Sequence, residues 1–81
     1  MSRKVRLKNV GCELIELYNS NFQNNNSYGY TFIKNNKRYD LRHWLVKDLL
    51  DVDFFELIKP KGEKVIFETF EDAVEYIEKE L

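Results

Sequence analysis

A chain of 81 residues, 43% hydrophobic and 33% charged, has room for one domain, residues 1–81, and carries too much apolar surface for a disordered segment. No run approaches the roughly 18 to 20 apolar residues of a membrane helix. One cysteine and one histidine supply neither an internal disulfide nor a zinc ligand set, so packing alone is expected to stabilise the fold. The net charge of −1 hides an uneven split: residues 1–50 hold nine Lys/Arg against four Asp/Glu, and residues 51–81 hold four Lys against ten Asp/Glu. A basic and an acidic face are therefore expected, and they bear on partners rather than on the fold.

The opening Met1-Ser2-Arg3-Lys4-Val5-Arg6 lacks the apolar core of a signal peptide, and a cytoplasmic protein is expected. In residues 3–8 Val5 and Leu7 alternate with Lys4, Arg6 and Lys8, the period of a basic first strand. Asn9-Val10-Gly11 reads as a turn, and residues 12–18 as a second strand, although Leu14, Leu17 and Tyr18 also fit helical spacing. The polar run from Asn19 to Ser27 has no periodicity and is expected to be the longest loop. Next, Tyr28, Tyr30 and Phe32 alternate along a strand. Lys34-Asn35-Asn36-Lys37 joins it to a run containing Arg38, Tyr39 and Leu41, as in a β-hairpin.

From Asp40 to Asp51 the apolar residues Leu41, Trp44, Leu45 and Leu49 sit three and four apart, which predicts a short helix with Asp40 as its cap. Residues 54–59 and 64–68 read as strands joined by Pro60-Lys61-Gly62-Glu63. Thr69 then precedes Phe70, Ala73, Val74, Ile77 and Leu81 on one helical face, with Glu71, Asp72, Glu75, Glu78 and Glu80 on the other. The expected architecture is α+β: a twisted antiparallel sheet of four to six strands against a C-terminal amphipathic helix, with a second short helix. Its expected core is Val5, Leu7, Leu14, Phe32, Leu41, Leu45, Phe55, Leu57, Ile66, Phe70, Val74 and Ile77.

Cys12 and His43 fall on separate predicted elements, and a dyad without motif context is read as a buried cysteine and a partly exposed histidine. Asp51 with Asp53 lacks the glycine and later glutamate of a calcium loop, the C-terminal carboxylates solvate a helix, and the three glycines are too scattered to cradle phosphate. No catalytic residue, metal, cofactor or small-molecule substrate is indicated. The expectation is a small non-enzymatic binding or regulatory protein acting through protein–protein interaction or self-association. Its Lys- and Asn-rich vocabulary suits phage or mobile-element origin.

Phe22, Tyr28 and Tyr30, in a Tyr- and Asn-rich region like that of adaptable recognition loops, are the candidate partner-binding residues. The alternative is a nucleic-acid-binding protein with a basic, aromatic-bearing sheet face, on which Arg3, Arg6, Lys37 and Arg38 hold phosphates. A pI of about 5.8 counts against that alternative. The pattern of the last helix makes one immediate prediction. Val74→Asp places an unpaired charge on its apolar face and unfolds the domain; circular dichroism checks it, and an unchanged spectrum and melting curve would refute that packing.

Overall fold

The computed structural model describes residues 2–22, 25–46 and 52–81, the side chains at 18–22, 25–26, 46 and 52 excepted. Its elements are α1 (Arg3–Asn9), β1 (Glu13–Phe22), β2 (Asn25–Lys34), β3 (Lys37–Val46), β4 (Val52–Ile58), β5 (Lys64–Phe67) and α2 (Phe70–Glu80). The five strands form one antiparallel sheet in chain order, so every pairing is made with a sequence neighbour. Alternation along the strands places Phe32, Tyr39, Leu41, Phe55 and Leu57 on one face. There they form a single buried cluster with Leu7 and Cys12 at the N-terminal end of the chain and with Phe70, Ala73, Val74 and Ile77 of α2. Both helices thus lie on the same side of the sheet. The other side carries Arg38, Asp40, Arg42 and Trp44 from β3 and Phe54, Glu56 and Ile58 from β4.

α2 forms as its sequence pattern indicates. The Thr69 hydroxyl accepts from the Asp72 N–H at 3.1 Å, a cap worth about 1 kcal/mol. At its other end the helix is held by the β2–β3 turn, where Lys34 Nζ donates to the Ile77 carbonyl at 2.7 Å and Asn35 Nδ2 to the Leu81 carbonyl at 3.0 Å. Cations and donors satisfy last-turn carbonyls in this way. The turn itself has both Asn35 and Asn36 at positive φ, 53° and 64°, as a two-residue type I′ connection requires.

Residues 3–9 are helical, not the basic strand that alternation suggested. The Ser2 hydroxyl accepts the Val5 N–H, and the helix stops in a Schellman arrangement: the Cys12 N–H donates to the Leu7 carbonyl and the Gly11 N–H to the Lys8 carbonyl. Gly11 there has φ 92°, a conformation that favours glycine. In a helix, Arg3, Arg6, Leu7 and Val10 share one face. Leu7 is fully buried while Val5 is 42% exposed, so Val5 leaves the expected core.

Residues 40–46 continue β3, and the remainder of the helix expected there lies outside the described residues. Apolar side chains on both faces, with Leu41 inside and Trp44 opposite Phe54 on the other side, mimic helical spacing. Asp40 caps nothing; its carboxylate accepts from the Thr31 hydroxyl at 2.6 Å. The expected Asn-rich loop is shorter than it looked, because β1 and β2 pair as far as Phe22 opposite Asn25. The cooperative main-chain ladder carries residues of low strand propensity along. Ile66, expected in the core, is 56% exposed, since Val65 and Phe67 take the inward positions of β5.

Helix and strand readings of residues 3–9 predict different stabilities. Leu7→Ala and Ile77→Ala each lower unfolding free energy by about 2–5 kcal/mol, while Val5→Ala and Ile66→Ala stay within about 0.5 kcal/mol. Urea denaturation measures all four, and equal losses at Val5 and Leu7 would mean that they share one strand face.

Candidate protein-docking edge

An open sheet has two edges, and an edge strand carries unpaired N–H and C=O groups that can pair with another chain unless the strand is short, charged, bulged or covered. The edges here differ. β5 has four residues, begins with Lys64 and stands beside α2, with Phe67 against Tyr76 at 5.3 Å between centroids. β1 has ten residues and contains no Lys, Arg or Pro. It pairs with β2 alone among the described strands. A bulge between Leu14 and Glu16 interrupts its ladder, and from Glu16 to Phe22 no described strand pairs with its outer side.

Two aliphatic side chains stand out of this edge, Ile15 at 52% and Leu17 at 51% exposure. With Leu14, Glu16, Lys4 and Lys8 they line a groove of about 240 Å³ between α1 and β1. The helical geometry of residues 3–9 brings Lys4 and Lys8, one turn apart, to the same side of α1. Glu16 is answered by Arg38 at 4.0 Å. Among the described residues no carboxylate forms an ion pair with Lys4 or Lys8, so the groove combines apolar surface with net positive charge.

The residues singled out by sequence spread over several places. Phe22 ends β1, and its side chain lies outside those described. Tyr28 is 40% exposed and Tyr30 packs against the core; both point to the helix-bearing side, and together with Arg3, Leu41, His43, Phe55 and Phe70 they line a cavity of about 30 Å³. Arg3 lies over Phe55 and Phe70. Arg6 lies over Phe70 and pairs with Glu71 at 2.6 Å. Arg38 projects from the opposite face of the sheet, and Lys37 lines a separate hollow with Lys59 and Lys61. On the aromatic-bearing sheet, Phe32 and Tyr39 are buried under the helices, whereas Trp44 and Phe54 lie on the face opposite the two helices. The four basic candidates therefore do not form one stripe. Lys4, Lys8, Ile15 and Leu17, which sequence reasoning did not select, do come together.

Cys12 and His43 are separated by α1, roughly 10 Å long: Cys12 follows its C-terminal end, and His43 touches Arg3 at its first residue. Asp53 faces His43 at 3.6 Å, while Asp51 lies outside the described residues. Comparison of the chain with protein-family models, with curated proteins and with solved structures finds no match.

Burial pushes the Cys12 thiol up to about 11, with Lys34 drawing it partly back. The thiol is thus protonated across the neutral range and shielded. A disulfide reagent at mildly alkaline pH is expected to label it only as fast as the chain opens, and rapid labelling of the native protein would contradict its buried position.

Proposed function

We propose that this chain is a small non-enzymatic regulator, acting in the cytoplasm, that binds a protein partner by taking an extended segment of it as a sixth strand on β1. The observation that carries the reading is the contrast between the two sheet edges: β5 is short and protected, whereas β1 is long, uncharged beyond its two glutamates and bordered by exposed Ile15 and Leu17. Strand addition draws affinity from main-chain hydrogen bonds and selectivity from the side chains beside the edge. Those side chains ask for apolar residues against Ile15 and Leu17 and for carboxylates against Lys4 and Lys8.

A protein is favoured over a nucleic acid because aliphatic side chains give bases no stacking platform. Moreover, two of the four candidate phosphate-binding residues, Arg3 and Arg6, are engaged on aromatic rings, and Arg6 and Arg38 each have a carboxylate partner. Phe22 and Tyr28 fit the protein reading, since Phe22 belongs to the same edge strand and Tyr28 is the exposed aromatic of its neighbour. The single cysteine suits a reducing compartment.

Titration calorimetry with a peptide of Val-Thr-Glu-Thr repeats, which sets valine and glutamate alternately along one strand face, and with its counterpart in which lysine replaces glutamate, tests the reading. The acidic peptide binds, the basic one does not, and binding weakens with salt. Lys4→Glu/Lys8→Glu and Ile15→Lys/Leu17→Lys each reduce the affinity about tenfold or more. All four positions are exposed, so the variants stay folded. Equal binding of both peptides, or no effect of the variants, would overturn strand addition at β1.

A further inference from the structure

His43 stands where α1, α2 and the sheet meet. Its ring lies flat on Phe55, with centroids 4.2 Å apart and planes 9° from parallel. Phe55 in turn meets Phe70 at 5.8 Å. The Arg3 guanidinium covers both phenyl rings, at 5.1 Å and 5.2 Å from their centroids, and approaches His43 Nδ1 at 3.3 Å. A guanidinium has only donors, so Nδ1 must accept and the imidazole is the neutral form with its proton on Nε2. Nε2 is buried and makes no hydrogen bond with the described residues; Asp53 Oδ2 lies 3.6 Å away.

Among the described residues, charged and titratable groups reach the ring from α1, β2 and β4. α1 contributes Arg3, and β4 contributes Asp53. β2 contributes Tyr28, directly opposite in register, and Tyr30, which lines the same small cavity. From α2, Phe70 is uncharged, and the adjoining Glu71 is paired with Arg6. On β3 the flanking Arg42 points to the other face of the sheet.

We propose that His43 is an acid-sensitive latch on the first turn of α1: when neutral it holds Arg3 against Phe55 and Phe70, and when protonated it expels Arg3 and frees that turn. Protonation at Nδ1 replaces the acceptor with a donor and sets two cations about 3.3 Å apart. Asp53 offsets part of this, from the far nitrogen. The balance favours the neutral ring: burial lowers the proton affinity of His43 most, Arg3 lowers it further, and Asp53 raises it.

The sign follows from linkage. The folded chain binds this proton more weakly than the unfolded chain, whose imidazole titrates near 6.5. The stabilisation from the docked turn is therefore fully present above pH 6.5 and is lost as pH falls from there through the lower folded value. Arg6 holds the Glu71 carboxyl below its ordinary 4.5, so the second anchor is intact down to about that pH. Only the first turn is freed in the interval, with Leu7 and Arg6 still holding the rest of α1. Lys4 rides on that turn, so release also withdraws part of the positive wall of the β1 groove. This last consequence rests on the strand-addition reading; the latch itself does not.

Because the chain has one histidine, its imidazole resonance can be followed by NMR without ambiguity. Amide exchange at Val5 and Arg6, whose N–H groups bond to Ser2, is read across the same pH range. The expected result is that both amides lose protection with the midpoint of the imidazole titration while α2 keeps its own, and that His43→Phe, which keeps a ring on Phe55, abolishes the transition. Constant protection through the imidazole titration would overturn the latch. So would a transition that persists in His43→Phe, or one confined below pH 4.5, where Glu71 is the group that titrates. If the amides open with His43 but the affinity for the acidic peptide does not fall, the latch stands and its coupling to the groove fails.

Discussion

The contact of Phe55 with Phe70 joins the three parts of the molecule. Phe55 lies in β4 beside His43 of β3, Phe70 is the first residue of α2, and Arg3 and Arg6 of α1 rest on these rings. Stacked aromatic pairs and cation–π contacts each contribute on the order of 1 kcal/mol beyond the area they bury. For a seven-residue helix, too short to persist alone, such anchors together with buried Leu7 decide whether it docks. The tight β4–β5 connection, in which the Lys59 and Glu63 main chains bond at 2.8 Å, and the Thr69 cap bring Phe70 onto Phe55. An element near the N-terminus thus depends on a junction made by the last third of the chain.

That junction also explains what is left open. α2 packs beside β4 and β5, and α1 packs beside β1 with Leu7, Val10 and two lysines. Neither helix pairs with the outer edge of β1. A small domain has little chain with which to cover an edge, and here the short edge is the protected one. The long edge is bordered by exposed aliphatic side chains and by lysines that no described carboxylate answers. These are the ingredients that a partner strand needs.

Much of the fold was legible because its signals are local. Asn35-Asn36, Gly62 and the Thr69 cap each satisfy a backbone requirement that sequence displays. The final helix shows its period over eleven residues. Signals failed where two periods fit the same letters. Six residues of alternation at Arg3 to Lys8 outweighed the cap at Ser2 and the stop at Gly11, which were the informative residues. At Leu41, Trp44 and Leu45 apolar groups on both faces of β3 imitated a helix. The candidate edge was hidden for a different reason. Which strand is an edge depends on the strand order of the whole sheet, and the approach of Lys4 and Lys8 to Leu17 depends on α1 being a helix. The meeting of Arg3 with His43 spans 40 positions, and no local pattern announces it.

The most direct measurement is residue-resolved amide hydrogen exchange along β1, in the free chain and with a saturating acidic extended peptide. In a strand paired on one side only, alternate amides point to solvent. They should exchange fast in the free protein and slow markedly when a sixth strand is added, with little change along β5. Outward amides that are already protected in the free chain would mean that the edge is covered before any partner arrives. Amides that stay fast while the peptide is bound would place its site elsewhere on the molecule. Either result would contradict docking at β1.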